Sequence, residues 1–86
     1  MPAEIRFLVL AQRDHEEAAV WCERQSPGLG IEFLEEVERS LYFAQDHQEM
    51  FQEVFSGCRR SLSKRFPYPI YYRNESDVII VFAVFH

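Results

Sequence analysis

The sequence predicts one α+β domain: an N-terminal strand, an antiparallel helix hairpin, then a three-stranded antiparallel meander, with the helices packed on one face of the sheet. Three observations carry this reading. A chain of 86 residues suits a single small domain, which buries only about 60 % of the surface its unfolded form exposes and so has a thin core. Apolar residues recur at helical spacing from about Ala18 to Ala44 and at alternating spacing after Phe51. Ser26-Pro27-Gly28 divides the helical stretch, because proline disfavours helical geometry in the residue before it and glycine accepts the turn.

EIRFLVL has the composition of a strand, with Ile5, Phe7 and Val9 on one face. Asp14 is expected to cap the first helix: Glu17 follows at capping-box spacing, and Glu16 and Glu17 suit the positive end of the helix dipole. Ala18, Trp21 and Cys22 make a narrow apolar stripe on it. The second helix runs from about Gly30 to about Asp46, burying Leu34, Val37, Leu41 and Ala44, with Phe33 widening that face. Glu32, Glu35, Glu36 and Glu38 read as its wet face and not as a catalytic carboxylate pair. The short link makes the two helices antiparallel. Trp21, Leu34, Val37, Leu41 and alternate residues of the last strand are the expected core.

CRRSLSKRF, PIYYR and DVIIVFAVF read as strands, the last two joined by a tight turn through Asn74-Glu75-Ser76-Asp77. Pro67 and Pro69 fit a strand entry, where no ladder hydrogen bond is lost. Ile70 and Tyr72 share one face; Tyr71 and Arg73 share the other. The final strand is apolar on both faces, so it is either covered twice or leaves one face to a partner. Two short helices cover only one side of such a sheet. A protein partner is therefore expected.

Charge is divided along the chain. Through Cys58 there are four basic and twelve acidic side chains; after it there are five basic and two acidic. The positive group is Arg59, Arg60, Lys64, Arg65 and Arg73, and such a group can steer an acidic partner. A plain solvated or salt-bridged strand face is the competing account. Cys22 and Cys58 lie far apart without a CxxC, and His15, His47 and His86 are scattered, so reduced buried thiols and no metal site are expected. No apolar run approaches membrane-span length and the first ten residues lack a signal-peptide pattern, so the expectation is a cytoplasmic protein.

Three stretches, EAAVWCERQSPGLGIEFLEEVE, RRSLSKRFPYPIYYR and VIIVFAVFH, together resemble the RelE/ParE superfamily of bacterial toxins from type II toxin–antitoxin pairs. The resemblance covers the chain from about Ile5 to His86. It is sharpest at Pro27-Gly28-Leu29-Gly30, at Arg65-Phe66-Pro67-Tyr68 leading into Tyr71-Tyr72, and at Val84-Phe85-His86. It implies a toxin neutralised by a cognate antitoxin, with one of two activities. RelE-like members cut messenger RNA on the ribosome, and ParE-like members inhibit DNA gyrase.

RelE-type cleavage is metal-independent: cations hold the scissile phosphate while another group moves the 2′-hydroxyl proton. By resemblance Arg60 takes one of those basic positions, but Leu62 and Pro69 stand at two others. The remaining arginine and the tyrosine of that set fall past His86, where family members usually carry a short basic tail. A trimmed chain and a shortened, attenuated member both stay open. The resemblance thus implies a ParE-like member that binds a protein target, and the positive group Arg59, Arg60, Lys64, Arg65 and Arg73 supplies the expected partner-binding residues. The alternatives are a RelE-like endoribonuclease, for which Arg60, Arg65, Arg73 and His86 are the catalytic candidates, and a member that only binds antitoxin. No cofactor, membrane contact or direct nucleic-acid binding is expected. Without antitoxin, a second copy of the chain is the expected occupant of the apolar surface.

Overall fold

The computed structural model describes residues 4–47, 50–63 and 65–85. Strand β1 (Glu4–Phe7) leads into helices α1 (Val9–Gln25) and α2 (Leu29–Asp46), followed by β2 (Glu53–Phe55), β3 (Cys58–Ser61), β4 (Ile70–Glu75) and β5 (Val78–Val84). The strands form one sheet in the order β1-β5-β4-β3-β2. β1 runs parallel to β5 and the other neighbours are antiparallel. The α+β class holds, but the sheet is mixed and five-stranded. The added strand, β2, is three residues long, too short to show an alternation in sequence.

The chain changes from strand to helix at a single residue. Leu8 N–H donates to Val81 O at 3.0 Å, and Leu8 O accepts from Gln12 N–H at 2.8 Å. The helix therefore begins five residues before Asp14, which lies inside it and caps nothing. Tertiary burial overrides the capping signal: Ala11, Ala18 and Cys22 face the core, with His15 between them, a helical stripe that starts a turn before Asp14. Trp21 sits one position off that stripe and is 44 % exposed, whereas Leu41 is fully buried. The two do not share a core. Leu34 is also displaced outward, at 39 % exposed, and Phe33 takes the interior position.

Phe33, Leu41, Tyr72, Ile79 and Val81 are completely buried at the centre of one apolar cluster. β3 ends at Ser61 instead of continuing to Phe66. The segment after it turns back over α2, and the Phe66 and Tyr68 rings meet the Phe33 ring at 5.3 and 5.2 Å between centroids. Two carboxylates expected to be wet hold this segment: Glu32 binds Arg65 at 2.7 Å and Glu36 accepts from Ser63 Oγ at 3.1 Å. The Arg-Phe-Pro-Tyr stretch is thus a core plug tied down at its ends.

The Pro-Gly-Leu-Gly turn has a structural explanation. Gly28 adopts φ 88°, a conformation that favours glycine. A Cβ on Gly30 would lie 2.7 Å from the Ala19 carbonyl oxygen, so the missing side chain lets the helices touch. Gly28 cannot cap α2 with a side chain; Glu23 does so from α1. Its carboxylate accepts from Gly28 N–H at 3.0 Å and from Gly30 N–H at 3.0 Å, satisfying donors at the start of the helix. These bonds, Gly28's first, hold the Glu23 carboxyl below its ordinary range.

Gly30→Ala should lower stability by about 1–3 kcal/mol, the usual cost of overpacking, as measured by denaturant unfolding. Glu23→Gln should lower Tm at pH 7. Because the folded Glu23 carboxyl is depressed below its ordinary 4.5, its contribution is present above that value and is lost as pH falls through the folded one. The difference in Tm from wild type should therefore shrink in acid; a constant difference would contradict the assignment.

Candidate functional site

Strand register divides the sheet into a covered and an open face. The buried helix residues pack with Ile70, Tyr72, Ile79 and Val81. Arg60 pairs across strands with Tyr71, Tyr71 with Ala83, and Arg73 with Ile80. These residues point to the other side, over which no described helix lies. Between Tyr71 and Tyr72 the β4–β5 register shifts by one, leaving Phe82 as an extra residue. Such a bulge re-aims side chains. Phe82 lies under Arg73, whose guanidinium carbon is 5.2 Å from its ring centroid.

The open face is an apolar and aromatic platform with two arginines. The Tyr71 ring meets the Phe85 ring edge-on at 5.4 Å. Arg73 is bound to Glu75 at 2.5 Å, so its charge is locally compensated. Arg60, half-buried, has no side-chain hydrogen bond or ion pair within the described residues. It is the uncompensated cation of this face.

The other candidate cations lie elsewhere. Arg59 is on the covered side: Nη1 donates to Phe51 O at 2.7 Å and Nη2 is 3.9 Å from Glu53. Arg65 is engaged by Glu32 and stacks over Phe66 at 5.2 Å. Lys64 and His86 lie outside the described residues. The described members of the positive group therefore do not form one patch; among them only Arg60 and Arg73 share the open face. Alternation along a strand was enough to separate Arg59 from Arg60. The capture of Arg65 by a helix carboxylate had no local signal; Phe82 follows Ile80 onto the open face by plain alternation, and the bulge adds Ala83 opposite Tyr71.

Burial moves the titration of several interior groups. The Tyr72 hydroxyl is pushed up to about 12, mainly by desolvation. Burial also raises the thiols of Cys22 and Cys58, against an opposing effect of Arg73 at Cys58. His15 is lowered by burial, with Glu16 opposing; its ring is packed 4.5 Å from Phe7 and 5.5 Å from Phe33. Each of these shifts disfavours the charged form. No described histidine stands on the open face beside Arg60. Among the described residues no group of three or more His, Cys, Asp or Glu side chains is placed to hold a metal ion, and no helix is long and apolar enough to cross a membrane.

No family model matches the chain, and no curated protein matches it. The open face must be judged on its own geometry.

Arg59→Ala should cost about 1–3 kcal/mol, because it leaves a part-buried carbonyl without its charged donor. Arg60→Ala should change stability by no more than about 0.5 kcal/mol, as expected for a side chain without partners. Parallel denaturant titrations test both, and equal losses would mean that the two arginines do not divide between faces as described.

Proposed function

We propose that this chain is a ParE-like toxin of a type II toxin–antitoxin pair, acting by binding a protein target and neutralised by a cognate antitoxin. The resemblance of its sequence motifs supplies the family and suggests DNA gyrase as the target. The observation that carries the binding mode is the open face: aromatic and aliphatic side chains around one uncompensated arginine. Buried aromatic residues and arginine supply much of the energy at protein interfaces. The paired Arg73 and Glu75 suit a polar rim to that patch.

RelE-like cleavage of messenger RNA on the ribosome is the second reading. The cross-strand pair Arg60–Tyr71 favours it, since a cation beside a phenol is part of what such chemistry needs. Against it, Leu62 is 60 % exposed where the resemblance places a cation, and Arg65 is held by Glu32 away from Arg60. Groups that act together on one phosphate contribute about 10²- to 10³-fold each, so a site lacking several is slow. A member that only binds antitoxin is the third reading.

Purified protein added to gyrase with relaxed plasmid should inhibit supercoiling. Arg60→Ala should weaken that inhibition at least about tenfold, as loss of a central interface arginine does. The same protein added to translating ribosomes should leave messenger RNA intact. Site-specific cuts would establish the endonuclease reading, and inactivity in both assays would leave the antitoxin-binding member.

A further inference from the structure

We propose that β1 is a dimerisation edge, on which the β1 of a second copy pairs antiparallel about a two-fold axis at Ile5. The two five-stranded sheets then become one sheet of ten. The inference is independent of the toxin reading, because it rests on the edge strand and not on the open face.

Backbone direction supports it first. Glu4 N–H donates to Asp77 O at 2.8 Å and Leu8 N–H to Val81 O at 3.0 Å, so the even-numbered residues of β1 bond inward to β5. A residue's N–H and C=O point to the same side of a strand, so Ile5 and Phe7 turn theirs to the free edge. Opposite each other across an antiparallel pair, two copies of Ile5 exchange both hydrogen bonds at a Cα separation of about 5.5 Å. The edge carries no proline and no bulge to block such pairing.

Charge fixes the register. Glu4 and Arg6 lie on one face of β1, and within a single copy Arg6 Nε is 2.7 Å from Glu4 Oε2 with both side chains exposed. Pairing at Ile5 places Glu4 opposite Arg6 of the other copy, twice over. A two-residue shift one way sets Glu4 against Glu4; the other way sets Arg6 against Arg6. Opposite charges in direct cross-strand pairs stabilise and like charges destabilise, so the edge is complementary to itself in one register.

The opposite face of the same strand is apolar. Ile5 and Phe7, with Leu34, Leu41 and Tyr42 of α2, line a groove of 470 Å³ that Glu4, His15 and Glu38 also border. Pairing sets two such grooves side by side beneath the joined sheet. Four residues make a short edge, so a weak dimer is expected, of the kind that buries less than about 1,200 Å².

Sedimentation equilibrium from about 10 µM to 1 mM, a range that brackets weak association, should show a monomer–dimer equilibrium. Arg6→Glu should shift it to monomer, as should Glu4→Arg. The double exchange Glu4→Arg with Arg6→Glu should restore the dimer, because complementarity returns with the signs swapped. Both side chains are exposed, and circular dichroism confirms that each variant stays folded. Under mild oxidation Ile5→Cys should cross-link two copies, since 5.5 Å between Cα atoms lies within the span of a disulfide. Phe7→Cys should not, and Cys22 and Cys58 are buried. A dimer that survives Arg6→Glu overturns the proposal. So does a monomer throughout, which leaves the edge for a strand of another protein.

Discussion

The structure depends on the close contact of α1 with α2 at Gly30. A side chain there would strike the Ala19 carbonyl, and the Glu23 carboxylate, bonded to Gly28 and Gly30, joins the end of one helix to the start of the next. With that angle set, α2 lowers Phe33, Val37 and Leu41 into the core. The small residues of α1, Ala11, Ala18 and Cys22, allow it to lie flat. A thin two-layer domain has little else from which to build an interior. The separation of a covered face from an open one follows from this packing.

A single register then determines the fate of each arginine. Neighbouring Arg59 and Arg60 go to opposite sides of the sheet: one binds the Phe51 carbonyl, and the other stands unpaired beside Tyr71 on the open side. Phe82, on the same face as Ile80, puts its ring beneath Arg73, and the bulge there turns Ala83 to that face as well. The open face is therefore less charged than the basic composition after Cys58 suggests, and more aromatic. Aromatic side chains and arginine are enriched at protein interfaces, which is why the proposed binding role rests on this face.

The sheet has two kinds of unfilled valence. Its open face offers side chains, while the β1 edge offers backbone groups with self-complementary charges on one side and the groove against α2 on the other. These surfaces adjoin without overlapping, since pairing through β1 extends the open face instead of covering it. A small domain with a thin core gains stability from either kind of contact.

The α+β class, the helix hairpin and its break, the β4–β5 hairpin, the burial of Val37 and Leu41 and the shared face of Ile70 and Tyr72 were all legible in the sequence. Each depends on local periodicity or on a proline–glycine stop, which short-range sterics decide. The sequence also placed Tyr71 and Arg73 on one face, because alternation in a strand needs no tertiary information. Where α1 begins was a matter of packing, since burial of Ala11 against the sheet outweighs the capping preference of Asp14. Packing likewise put Trp21 outside the core and turned Glu32 and Glu36 into anchors for the Arg65–Tyr68 segment. The parallel pairing of β1 with β5 joins the two ends of the chain, and no local signal spans that distance. The two-sided apolar final strand already implied an uncovered face; which arginines stand on it, and that β1 is a free edge, follow from where the chain packs.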